Sequence, residues 1–261
     1  MYENDETNLE VEKLQNKIQT LKKDIKWFSL FVFFLLLIRS IFIEPYRIPT
    51  GSMMPTLISG DFILVNKFAY GLKIPFSDLV FKLPFTQKQI NLDPIYLYRS
   101  SSPKRGEVVV FKYPVDPEVN YIKRIIAIPG DQLEIRQKKI YLNGKMIDVK
   151  AIDDLEMRKN FEKVFKDYNY DLYQSKIAEH SFKYQLNRGN FYNINYKKIV
   201  IPPNKYFVMG DNRDFSYDSR SWGFVDENQI KGRAILIWFS LTFPSFETKF
   251  SFNPDRIGQK I

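Results

Sequence analysis

The sequence has no cysteine and only one histidine, His180, among its 261 residues. It therefore cannot form disulfides, iron–sulfur clusters, thiol nucleophiles or zinc sites rich in cysteine or histidine. The lack of thiols does not exclude an oxidising compartment, because a chain without them is indifferent to redox conditions. The 44% of hydrophobic, 16% of aromatic and 26% of charged residues are typical of a packed protein rather than a disordered one.

Acidic residues are fewer than basic ones, and the formal net charge is +9. Residues 1–26 carry five lysines against six acidic residues, so the basic excess lies in the rest of the chain, with 34 basic and 24 acidic residues. A basic surface can bind nucleic acid or anionic lipid, or can simply be solvated. The sequence has no lysine-rich block and no nucleic-acid-binding motif, so we expect no nucleic-acid partner.

A long apolar run extends from Trp27 to Ile43 and is interrupted mainly by Arg39 and Ser40. As a helix these 17 residues would be about 25 Å long, which is the short end of what crosses a bilayer. A cleaved signal peptide is one alternative, but 26 residues precede the run and no small-residue cleavage pattern follows it. A buried soluble helix is the other, but it does not explain the lysines on one side of the run. The sequence therefore predicts a retained transmembrane anchor at residues 27–43.

Basic residues flank this run unequally. Four lysines lie shortly before it, whereas only Arg39 and Arg47 lie within it or just after it. The positive-inside rule then predicts a single-pass protein with residues 1–26 in the cytoplasm and residues 44–261 outside, in contact with a phospholipid membrane.

Short segments rich in β-branched and aromatic residues follow the anchor and are separated by turn residues, which predicts a mostly β fold. Asn143-Gly144 suits the type I′ turn of a hairpin between residues 139–142 and 145–149. Residues 152–173 are more polar, have helix-like apolar spacing and indicate an inserted lobe. The predicted strands are Asp61–Lys67, Glu107–Lys112, Tyr121–Ile128, Leu133–Ile135, Lys139–Leu142, Lys205–Met209 and Ala234–Phe239.

The segment IPTGSMMPTL, from Ile48 to Leu57, places a glycine directly before Ser52. A serine nucleophile needs an exposed hydroxyl and nearby N–H donors, and a neighbouring glycine lets a substrate approach the backbone. The same residue types are typical of a surface turn, so this segment alone does not establish a site. Ser52 is nine residues from Ile43 and within about 32 Å of the predicted membrane face, so its substrates would lie at the membrane.

A serine nucleophile also needs a base. His180 lies in a polar segment, where we expect it to be solvated, so a Ser-His-Asp triad is disfavoured. A desolvated lysine is the alternative base. The segment YIKRIIAI offers Lys123 and Arg124 on opposite faces of a predicted strand, and periodicity does not choose between them. Only lysine can lose its proton, although a strand with two surface charges is an equally good interpretation.

A third motif, rich in aspartate and arginine, extends from Gly210 to Gly223. It does not fit a calcium loop, because the sixth position lacks glycine and Trp222 stands at the twelfth in place of glutamate. Its Asp and Arg residues with small hydroxyls suit a rigid, hydrogen-bonded loop that supports a site. We therefore expect neither a metal nor a cofactor.

Together these motifs closely resemble those of bacterial type I signal peptidases (leader peptidases), which are Ser/Lys proteases. The similar blocks occur in the order of the family across residues 44–258. They are Thr50–Thr56, Pro103–Phe111, Lys123-Arg124, Gly210–Gly223 and Arg256–Gly258.

The resemblance implies an antiparallel β-sheet catalytic domain outside the bacterial cytoplasmic (inner) membrane, with a variable lobe inserted at about residues 132–204. It also implies cleavage of signal peptides from exported preproteins through an acyl-enzyme. Ser52 matches the nucleophile and Lys123 the general base. The other matching site residues are Thr50, which would join the Ser52 N–H in the oxyanion hole, Ser216, which would orient the lysine, and the supporting pair Asp218 and Arg220.

Bulky apolar residues around Ser52 match the family's substrate-pocket lining, which implies small substrate side chains one and three residues before the cut. The residues matching the pocket are Tyr46, Ile48, Met53, Leu57, Tyr121 and Ile122.

Two other interpretations of the function remain: another Ser/Lys protease, such as a self-cleaving stress-response repressor, or a non-catalytic, membrane-anchored β domain that only binds.

Overall fold

The structure is a computed structural model. It describes residues 3–74, 77, 80–82, 89–155, 157–158, 161, 169–190, 195–245 and 248–261.

About half of the described residues outside one long helix lie in short antiparallel strands, which confirms the predicted β character. Among the helices that the structure describes from end to end are α1 (Glu3–Ile41) and the single turn α2 (Ser219–Trp222), with 3-10 turns at Lys67–Tyr70, Glu227–Gln229 and Pro254–Arg256. The strands are β1 (Ile43–Arg47), β2 (Asp61–Asn66), β3 (Leu72–Lys73), β4 (Val80–Lys82), β5 (Gln89–Asn91), β6 (Tyr96–Tyr98), β7 (Val108–Lys112), β8 (Asn120–Ala127), β9 (Gln132–Arg136), β10 (Lys139–Leu142), β11 (Lys145–Met146), β12 (Asp148–Ile152), β13 (Tyr170–Ile177), β14 (His180–Asn187), β15 (Tyr196–Val200), β16 (Lys205–Met209), β17 (Val225–Asp226), β18 (Ile230–Thr242) and β19 (Ser251–Phe252).

The main sheet has the order β1-β2-β18-β7-β8-β16-β17, and β19 also pairs with β18. Strand β7 is buried along its whole length, because its apolar residues lie between β18 and β8 and face packed side chains on both sides. Antiparallel pairing of β7 with β8 sets Val109 opposite Lys123. This register carries Lys123 into the interior of the domain.

The predicted inserted lobe consists largely of two further sheets, β11-β10-β9-β15 and β12-β13-β14. The Asn143-Gly144 hairpin is present, with both residues at positive φ as a type I′ turn requires. Its second strand is shorter than predicted, because Asp148 begins β12, which pairs with β13 instead. Leu155 and Phe161 are helical as expected, whereas Val164 and Phe165 lie outside the described residues.

Helix α1 contains most of the predicted anchor, but the helix ends at Ile41, and Ile43 already belongs to β1. The helical part of that segment is therefore shorter than residues 27–43. Among the residues that the structure describes, no helix has an apolar stretch long enough to cross a membrane.

Candidate active site

Ser52 lies in a tight turn segment between β1 and β2. The segment is closed at its base, where the Ile48 N–H donates to the Asp61 carbonyl and the Gly60 N–H donates to the Ile48 carbonyl. Within it, the Leu57 N–H donates to Met53. The buried side chains of Met53 and Leu57 fasten the segment to the core. Ser52 is thus presented at a fixed position, half-buried at the surface.

Lys123 is the base that the sequence predicts, and its Nζ lies 2.6 Å from Ser52 Oγ. The lysine is only 4% exposed. Burial lowers the pKa of Lys123 to about 8, although the negative charges of Asp218 and Asp211 partly oppose this. A neutral amine, the form that can accept the serine proton, is therefore accessible near neutral pH.

Thr50 is exposed, and its hydroxyl lies 3.5 Å from Ser52 Oγ. The hydroxyl is thus on the same side of the turn as the nucleophile. Its assignment to the oxyanion hole stays a prediction.

A loop after β16, residues 210–213, packs directly on the nucleophile segment. The Asn212 N–H donates to the Ser52 carbonyl at 3.1 Å, and Asn212 Nδ2 donates to the Gly51 carbonyl at 3.2 Å. Gly210 must be a glycine, since a Cβ there would overlap the Ser52 carbonyl oxygen and Ser216 Oγ.

Asp218 and Arg220 form a buried, bidentate ion pair with two contacts of 2.8 Å. Although burial works in the opposite direction, Arg220 holds the pKa of Asp218 below its ordinary value. Asp218 also accepts from the Gly210 N–H at 3.0 Å. The pair therefore fixes the start of the loop that contacts Ser52, and the hydroxyl of Ser216 is packed against Gly210.

Arg124 is a supporting residue to which the sequence alone gave no role. Its guanidinium binds Asp211 through two contacts, of 2.9 and 2.7 Å, and both side chains are buried. A third nitrogen donates to the Gly106 carbonyl at 2.7 Å, and Asp211 also accepts from the hydroxyl of Thr56. The side chains of Lys123 and Arg124 thus lie on opposite faces of β8. Their adjacency on one predicted strand indicated this arrangement, but the sequence does not show which aspartate pairs with Arg124.

The predicted pocket residues divide into two groups. Ile48, Met53 and Leu57 are at most 2% exposed and pack in the core beneath Ser52. Tyr46, Tyr121 and Ile122 are half-buried; Tyr46 and Ile122 pack against the same core, and the Tyr121 ring centre lies 5.5 Å from Lys123 Nζ. Their assignment to the substrate pocket stays a prediction.

His180 is not solvated as the sequence suggested. It is half-buried at the start of β14, and its side chain packs so closely on Gly106 that a Cβ there would overlap it. Its Nδ1 is buried without a hydrogen bond in the described part of the chain. The prediction failed because a polar neighbourhood in sequence does not reveal packing against a distant loop.

The serine–lysine pair, built on an antiparallel β domain, defines a serine hydrolase that uses a lysine in place of histidine. The family profile described as "Signal peptidase, peptidase S26" matches residues 21–239. The signal peptidase I of Pseudomonas aeruginosa is 37% identical over 95% of this chain and 82% of its own length. That of Aquifex aeolicus is 35% identical over 86% and 87%, respectively. The chain therefore belongs to the signal peptidase family, peptidase S26, whose members are serine endopeptidases.

Proposed function

We propose that the protein is a Ser/Lys endopeptidase that removes signal peptides from exported preproteins. The observation that carries this proposal is the 2.6 Å contact between Ser52 Oγ and a buried Lys123 amine with a lowered pKa. Family membership supports the substrate class, since the relatives are named signal peptidase I.

The reaction proceeds in two halves. Ser52 Oγ bonds to the scissile carbonyl carbon while its proton passes to Lys123 Nζ, and the tetrahedral intermediate collapses as Lys123 protonates the leaving amine. The signal peptide is then esterified to Ser52. Lys123 next takes a proton from a water that attacks the ester, and Ser52 recovers its proton as it leaves. The Ser52 N–H and the Thr50 hydroxyl are the proposed donors to the oxyanion.

Incubation of the detergent-solubilised protein with a purified preprotein tests this function. We expect one new N-terminus, at the end of the signal peptide, identified by sequencing the product. A domain that only binds would give no product. A self-cleaving repressor-like protease would cut its own chain and leave the preprotein intact.

The pH dependence of cleavage tests the lysine base. Because only the neutral amine can accept a proton, kcat/KM should rise with pH through the lowered pKa of about 8 and level off above it. Initial rates between pH 5.5 and 10.5 measure this. A rate that stays constant across that range would contradict a lysine base, and a midpoint near 10.5 would contradict the desolvated environment.

Substrate specificity tests the proposed pocket. An extended substrate alternates its side chains, so positions one and three before the cut face the same wall, and the half-buried Tyr46, Tyr121 and Ile122 leave little depth there. We expect cleavage after Ala-X-Ala, loss of cleavage when either alanine becomes leucine, and tolerance at X. Ile122→Ala should raise kcat/KM for a leucine-containing preprotein by about tenfold or more.

Ile199 offers a matched control, since it is a half-buried isoleucine in the lobe. Ile199→Ala should leave the preference unchanged. Equal cleavage of Leu-X-Leu and Ala-X-Ala by the unaltered protein would contradict the pocket.

The protein is further proposed to act at the outer face of the bacterial cytoplasmic membrane, anchored by residues 27–43 with its N-terminus in the cytoplasm. Supporting this, α1 carries large exposed apolar side chains, including Trp27, Phe31 and Phe34. Exposed Phe42 and Phe68 extend this apolar surface beyond the helix, with ring centres 6.1 Å apart. Such a surface is suited to lipid rather than water.

Protease added to intact spheroplasts tests this topology. We expect digestion of the region after Glu44 and protection of residues 1–26, which become accessible only after the membrane is permeabilised. Protection of the peptidase domain in intact spheroplasts would overturn the orientation without affecting the cleavage chemistry.

A further inference from the structure

Asn212 holds the two peptide groups on either side of the nucleophile. Its Nδ2 donates to the Gly51 carbonyl and its backbone N–H to the Ser52 carbonyl. The Gly51 carbonyl also accepts from the Met54 N–H at 3.1 Å, which closes the turn. Both carbonyl groups are therefore fixed in direction.

The direction of the Gly51 carbonyl determines where the Ser52 N–H points. The two groups belong to one planar trans peptide, so they point in opposite directions. A donor that turns the carbonyl towards Asn212 consequently turns the Ser52 N–H away from it, and this N–H is the proposed oxyanion donor.

Strand β14 of the inserted lobe holds Asn212 in place. The Gln185 N–H donates to the Asp211 carbonyl at 2.9 Å, and the Arg213 N–H donates to the Gln185 carbonyl at 3.1 Å. These two bonds bracket Asn212 in a short parallel bridge. Strand β14 is thereby connected to the peptide groups around Ser52 through Asn212.

We propose that Asn212 is a positioning residue that orients the Ser52 N–H towards the oxyanion and so raises the rate of the chemical step. The inference rests on the proposed function. Asn212 acts through the backbone of Gly51 and Ser52.

Two substitutions separate hydrogen-bond donation from packing. Asn212→Ala removes the side-chain donor. Asn212→Asp keeps its shape but replaces the donor with a carboxylate oxygen that faces the Gly51 carbonyl at about the same distance, which is repulsive. A residue that only fills space would tolerate aspartate better than alanine, whereas a donor would not.

The assay measures kcat and KM for a preprotein at a pH above the pKa of Lys123, where its amine is neutral. The value of kcat is corrected for the folded fraction, which thermal unfolding gives. We expect Asn212→Ala to lower kcat about 10- to 100-fold with little change in KM, and Asn212→Asp to lower it at least as much. The pH midpoint of Asn212→Ala should stay that of the unaltered protein. Asn253→Ala is the control, since it removes amide donors to Ser240 and Thr242, neither of which has a hydrogen bond to Ser52 in the described part of the chain, and should preserve kcat.

The inference is overturned if Asn212→Ala lowers only the unfolding midpoint, if aspartate restores the rate that alanine loses, or if the pH midpoint moves instead of kcat. Failure of the unaltered protein to cleave any preprotein would instead refute the proposed function. The two failures are therefore distinguishable.

Discussion

Replacing Ser52 with alanine, or Lys123 with methionine, is expected to reduce preprotein cleavage by at least about a thousandfold while the protein stays folded. Without Ser52 Oγ no acyl-enzyme can form, and without the Lys123 amine the described residues leave that oxygen no base in hydrogen-bond contact to accept its proton. The two losses should not add, because the residues act as one unit. Single-turnover cleavage of a preprotein and the thermal unfolding midpoint measure both parts of this prediction.

His180→Ala is the matched control for this experiment. His180 packs on Gly106 and no contact joins it to Ser52 among the described residues, so cleavage should fall by less than about threefold. A loss of turnover in this variant comparable to that of the Ser52 variant would restore a histidine mechanism.

Arg124→Ala is expected to destabilise the fold by about 3–5 kcal/mol, because it leaves the carboxylate of Asp211 buried and unpaired. Activity of the remaining folded protein should fall as well, since the Asp211 loop carries Asn212 to the nucleophile. Urea unfolding gives the free energy, and the rate per folded molecule gives the activity. The stability and the activity of Arg124→Lys should lie between those of the unaltered protein and of Arg124→Ala, because lysine keeps the charge but not the bidentate geometry.

Arg136 provides the comparison, since it binds Glu134 with the same bidentate geometry at the protein surface. Arg136→Ala should leave the urea midpoint nearly unchanged, because water replaces a lost surface pair. Equal effects of the two substitutions would show that burial of the Arg124 pair does not matter.

The strands were predictable because their local patterns agree with their final environment. Residues 205–209 form β16 as predicted, and the apolar run of residues 108–111 lies in a fully buried central strand. The scarcity of histidine favours a lysine base for Ser52, but residue patterns alone do not choose Lys123, which is identified through the resemblance of its motif to the family. For the strands, the deciding information lies within a few residues.

The supporting contacts were not predictable in this way. Arg124 pairs with Asp211 across 87 residues, and nothing near either of them in sequence names the partner. Apolar character likewise does not separate Leu57, which is in the core, from Ile122, which keeps exposed surface. Both distinctions depend on which distant segments meet, so they appear only in the folded domain.

The segment that contains Ser52 is synthesised early, but residues much later in the chain hold it in place. Arg256 Nη2 donates to the Thr56 carbonyl at 2.9 Å, and its guanidinium binds Asp61, 195 residues earlier in the chain. Asn212 also follows Ser52 by most of the domain. A nascent chain that still lacks these residues has its serine but not the contacts that orient it. The contacts that orient Ser52 are therefore completed only after residues 212 and 256 have been synthesised, although the serine itself is among the early residues of the domain.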